Sequence, residues 1–60
     1  MADLFAPTLP EIIIELNREI QMRQRVFGGM VRAGRMKADD MDRRIKLIEA
    51  ARDMLLKITT

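Results

Sequence analysis

The sequence predicts an all-α fold, an antiparallel two-helix hairpin, on three observations. Apolar residues recur at alternating steps of four and three along two stretches, a helix-start signal precedes the first stretch, and Gly34 stands between them. The composition agrees: the hydrophobic fraction of 48% is globular rather than disordered, and Leu, Ile, Val and Met carry it with only two phenylalanines.

Taken in chain order, residues 1–7 read as a flexible N-terminal arm and residues 8–60 as a single hairpin domain. The arm contains Leu4 and Phe5 ahead of Pro7, and a proline disfavours helix in the residue before it. Thr8-Leu9-Pro10-Glu11 is a capping box, in which the Thr8 hydroxyl accepts from the Glu11 amide and the Glu11 carboxylate reaches back to the Thr8 amide. Pro10 fits the second helical position, where the missing N–H has no intrahelical partner.

Helix 1 is expected over about residues 9–33. Its seam is Leu9, Ile13, Leu16, Ile20, Arg23, Phe27 and Met30, widened by Ile12 and Val26 and interrupted only by Arg23. Gly28-Gly29 falls inside this pattern and costs roughly 2 kcal/mol relative to alanine if helix runs straight through. A kink or break near 28–29 is therefore expected, with close approach of another helix as the alternative. Gly34 suits the left-handed residue that ends a helix, and 35–37 form the turn.

Helix 2 is expected over about residues 38–58, with Met41, Ile45, Ile48, Ala51 or Arg52, Leu55 and Ile58 as its seam and Leu47, Ala50 and Met54 to one side. Asp39, Asp40 and Asp42 complement the dipole at its start. Asp39–Arg43, Asp40–Arg44, Asp42–Lys46 and Asp53–Lys57 are spaced as i,i+4 pairs in the favourable acid-first order.

Sixty residues bury little apolar surface, and a chain without cysteine or histidine has neither a disulfide nor the usual zinc ligands to staple it. Self-association is the staple that remains. Ile14, Met22, Leu47 and Met54 lie beside the seams, which favours a homodimer, a four-helix bundle with coiled-coil-like packing. The candidate core and dimer residues are Ile13, Leu16, Ile20, Phe27, Met30, Ile45, Ile48 and Leu55.

Charge is segregated along the first helix. Residues 1–20 hold four acids against Arg18 alone, a net of −3; residues 21–37 hold five cations and no acid, a net of +5; the remainder is balanced, leaving +2. Acids early and bases late complement a helix dipole, which accounts for part of this order. Antiparallel pairing of helix 1 with its copy would set −3 against +5. A docking surface is the third reading: Arg18, Arg25 and Arg32 are spaced by seven and line up opposite the seam, with Arg35 and Lys37 following in the turn.

Several function classes find no support. The carboxylates are scattered on helix exteriors, with no nucleophile and base at catalytic spacing, so no catalytic residue and no enzyme activity is expected. Asp40 and Asp42 lack the glycine and closing glutamate of a calcium loop, the glycines lack the Gly-Lys-Ser/Thr of a phosphate loop, and neither metal nor cofactor is implied. No apolar run approaches the roughly 18 residues that span a bilayer, and the start lacks the order of a signal peptide, so a cytoplasmic protein is expected.

The segment Arg18-Glu19-Ile20-Gln21-Met22-Arg23-Gln24-Arg25-Val26-Phe27, with Val31, Ala33-Gly34-Arg35-Met36, Arg43-Arg44-Ile45 and Ile48-Glu49-Ala50, resembles short bacteriophage and prophage proteins of unassigned function. The resemblance covers roughly residues 12–56. A proline commonly follows the aromatic in that group, where this chain has Gly28. The resemblance implies a phage origin, residence in the host-cell cytoplasm and action by binding a host or defence protein, and it carries no assigned active residues.

The expectation is thus a phage-type protein-interaction module that binds a host or phage protein with an acidic surface through Arg18, Arg25, Arg32, Arg35 and Lys37, with inhibition, recruitment and scaffolding all open as the consequence of binding. Alternatives are a nucleic-acid accessory protein using the same arginines on phosphate, and a structural subunit of a larger assembly.

Overall fold

The computed structural model describes residues 6–59, which form two α-helices, α1 (Leu9–Arg32) and α2 (Ala38–Thr59), joined by the turn 33–37. The arm expected over 1–7 falls mostly outside the described residues. Of it only Ala6 and Pro7 are seen, both exposed and non-helical.

Helix α1 begins with half of the expected capping box: Thr8 has extended backbone (φ −86°, ψ 158°) and its Oγ1 accepts from the Glu11 amide at 3.4 Å, while the Glu11 carboxylate does not close the return bond to the Thr8 amide. Its end is a Schellman motif. Gly34 takes φ +74°, the Arg35 amide donates to the Met30 carbonyl at 2.8 Å, and the Gly34 amide donates to the Val31 carbonyl at 3.0 Å. Two of the carbonyls left over at the helix end are thereby satisfied, and the chain is turned back for α2.

No break occurs at Gly28-Gly29. Helix runs through both, and the Gly29 carbonyl accepts from the Ala33 amide at 3.0 Å. Close approach does not explain the glycines either, because a Cβ on Gly28 would find its nearest α2 atom, Met41 Cε, at an ordinary 4.0 Å. The nearer neighbour is Arg32, whose guanidinium folds back over the pair, 3.5 Å from a Cβ at Gly28 and 3.9 Å from one at Gly29. Packing of Phe27 and Met30 on either side holds the helix against the weak propensity of the pair, since tertiary burial supplies most helical stability in proteins.

The helices run antiparallel and in register, with Asn17 level with Arg52 and Gly28 level with Met41. Only Ile20 and Ile45, 4% and 7% exposed, are buried among the described residues. Leu9, Ile13, Leu16, Phe27, Met30, Met41, Ile48 and Leu55 are half-buried around them. The open choice at 51 or 52 resolves to Arg52, which is half-buried and donates from its NH1 to Asn17 Oδ1 at 3.1 Å, while Ala51 is exposed. Ile58 leaves the expected seam and is 71% exposed.

The Cα atoms extend over 49 × 22 × 14 Å with a radius of gyration of 14.6 Å, against about 10–11 Å for a compact domain of this length. The molecule is one helix layer thick, so each helix is covered on one side only.

Candidate partner-binding surface

Residues on an α-helix turn by about 100° per step, so Arg18, Arg25 and Arg32 fall on nearly one line, on the side of α1 turned away from α2. All three are exposed, as are Arg35 and Lys37 in the turn. The Schellman geometry at Gly34 sets the last two, carrying the row of cations around the end of the hairpin.

Arg18 is not free: its NH1 meets Glu15 Oε1 at 2.8 Å. Among the described residues no carboxylate lies within ion-pair distance of Arg25, Arg32, Arg35 or Lys37. The Asp39–Asp42 cluster, which follows the turn directly, does not neutralise them.

The expected pairs Asp39–Arg43, Asp40–Arg44 and Asp42–Lys46 are not closed to ion-pair distance among the described residues. Exposed pairs of this kind gain only tenths of a kcal/mol and forfeit side-chain entropy, so spacing alone does not close them. Arg44 instead sits with its Cζ 5.9 Å from the centroid of the Phe27 ring, a cation–π contact across the hairpin. Asp53 is met by Arg52 at 3.1 Å. The cation inside the α1 seam, Arg23, is held by Glu19 at 2.8 Å, which explains how a charge is tolerated there.

Open depressions mark the surface of the described residues, among them three that bear on the candidate site. One of about 490 Å³ on α2 is lined by Asp39, Asp42, Arg43, Lys46 and Leu47, opposite charges that largely cancel. A second of about 360 Å³ at the start of α1 is lined by Pro7, Ile12 and Leu16 together with Glu11, Glu15 and Glu19. The third, about 330 Å³, continues from Glu19 through Met22, Arg23, Val26 and Phe27 to Arg44 of α2. None combines a nucleophile with a base, and the described residues hold no group of three or more metal-ligating side chains.

Met30, Met36 and Met41 cluster at the turn end and are all half-buried, filling the small core there. No helix among the described residues is long and apolar enough to cross a membrane. The chain matches no protein-family model, no curated protein sequence and no solved structure.

Proposed function

We propose that this hairpin is a non-catalytic protein-interaction module whose arginine edge docks on an acidic patch of a host or phage protein, and that it acts by occupying that patch. The observation that carries the reading is the row Arg25, Arg32 and Arg35, exposed and without a carboxylate partner among the described residues. Guanidinium groups free of internal partners can form bidentate hydrogen bonds to carboxylates. Arg18, tied to Glu15, contributes less than the other three.

The test is affinity capture from the producing cell with the native chain and with a triple variant, R25E/R32E/R35E. A protein retained by the native chain and lost by the triple variant supports the reading. Equal capture by both chains removes the arginine edge from it. Phosphate is the second reading, favoured by the same unpaired guanidinium groups. It predicts binding to duplex or single-stranded nucleic acid that falls linearly in log salt, with a slope near the number of contacts. The half-buried Phe27 ring, with Arg44 against it, is poorly placed to stack on bases, which puts this reading second.

A further inference from the structure

The two broad faces of the hairpin differ. In an antiparallel pair the flank of α1 bearing Ile12, Met22 and Val26 and the flank of α2 bearing Leu47, Ala51 and Ile58 open on the same side. The depression that joins Met22 and Val26 to Arg44 shows that they do, because Arg44, Ala51 and Ile58 follow one another at steps of seven on α2. Val26, Leu47 and Ile58 are at least half exposed there, and Ala51 is also exposed. The opposite face carries the exposed Gln21, Gln24, Asp42, Lys46 and Asp53, with Ile14 and Leu56, 54% and 41% exposed, at its end away from the turn.

We infer that this apolar face is covered by a second copy of the chain, stacked face to face in antiparallel orientation with the two turns at opposite ends. Charge selects both the occupant and its direction. Toward one end the face carries Glu11 and Glu15 and toward the other Arg44, with the Glu19–Arg23 ion pair between them, and the chain as a whole is −3 over residues 1–20 and +5 over 21–37. An antiparallel copy lays each acidic end on a basic end. Stacking turn upon turn would instead bring the two +5 stretches together, and like charges across an interface disfavour it.

Size agrees. A face about 33 Å long and two helices wide, roughly 20 Å, has a projected area of about 650 Å² and more accessible area, near the roughly 800 Å² per partner of a stable interface. The arginine edge of α1 lies outside this face, so the dimer leaves it open to other partners.

Sedimentation equilibrium and thermal melts across a wide concentration range test the inference on the full chain. The expected result is a mass of two chains at high concentration and a melting temperature that rises with concentration. Val26→Lys should raise the dissociation constant by about tenfold or more, with helix content by circular dichroism checking that the hairpin still folds. Ile14→Lys is the control: Ile14 is as exposed as Val26, 54% against 50%, but points away from this face, and the dimer should be unchanged.

Orientation is read by single cysteines in a chain that has none of its own. Ala51→Cys, near the middle of α2, should oxidise to a covalent dimer and Lys37→Cys, in the turn, should not. A monomer mass at every concentration, equal effects of the two lysine variants, or cross-linking through Lys37→Cys in preference to Ala51→Cys would each overturn it.

Discussion

The two helices are of nearly equal length, 24 and 22 residues, yet they are built by different means. Helix α1 is secured at both ends, by the Thr8 hydroxyl and by the Gly34 Schellman turn, and is weak inside, where Gly28 and Gly29 sit. Helix α2 is the reverse, with no glycine in its interior and no capping hydroxyl or carboxylate before it. Lys37 stands where its N-cap falls, and the Lys37 carbonyl accepts from the Met41 amide at 3.1 Å. Each helix compensates locally for a different defect, and the seam they share supplies what neither has alone.

If the seam dominates, the largest effects come from its two buried residues and are similar for both helices. Ile20→Ala and Ile45→Ala should each cost about 2–3 kcal/mol in urea unfolding at fixed protein concentration, a large fraction of the stability of a chain this small. The milder Ile→Val at either site, costing about 1 kcal/mol, keeps the comparison measurable if the alanine variants do not fold. A cost confined to one helix would mean that the seam is not shared equally.

Next in size, Gly28→Ala and Gly29→Ala should each raise stability by about 1 kcal/mol, because the helix is continuous and a methyl at either position meets only ordinary contacts. Destabilisation by either would contradict the unbroken helix. The smallest effects belong to the starts of the helices and are opposite in sign. Thr8→Ala should lower the unfolding free energy by about 1 kcal/mol, and Lys37→Asp should raise it by about 0.5–1 kcal/mol by supplying an N-cap acceptor and a negative charge near the dipole. Equal responses at the two positions would erase the contrast between the helix starts.

The contrast also shows why part of the molecule was legible in the sequence. Thr8, Gly34 and the four-and-three spacing act within a turn or two of chain, so the ends of α1, the start of α2 and the seam through Ile20 and Ile45 follow from local rules. Continuity at Gly28-Gly29 does not, because it is a contest between propensity and packing that neighbouring residues alone do not decide. The same holds for Arg52, which joins the seam through Asn17 35 positions away, and for Arg44, whose place against Phe27 exists only once the hairpin has closed.

The candidate surface divides in the same way. Exposure of Arg25 and Arg32 follows from a step of seven; the capture of Arg18 by Glu15, three residues back, depends on which of several weak exposed pairs forms. The occupant proposed for the arginine edge is not legible, since one chain's sequence carries only its own half of a contact.

The glycine pair finally bears on how far the arginine edge reaches. With no side chains at 28 and 29, the Arg32 guanidinium lies low along its own helix, and a methyl at either site would form a floor beneath it without displacing it. A longer side chain there would occupy that resting place and push the cation outward. Evolutionary drift at these two positions would therefore adjust the height of a charge above the surface as well as the rigidity of the helix, two properties changed together by a single substitution.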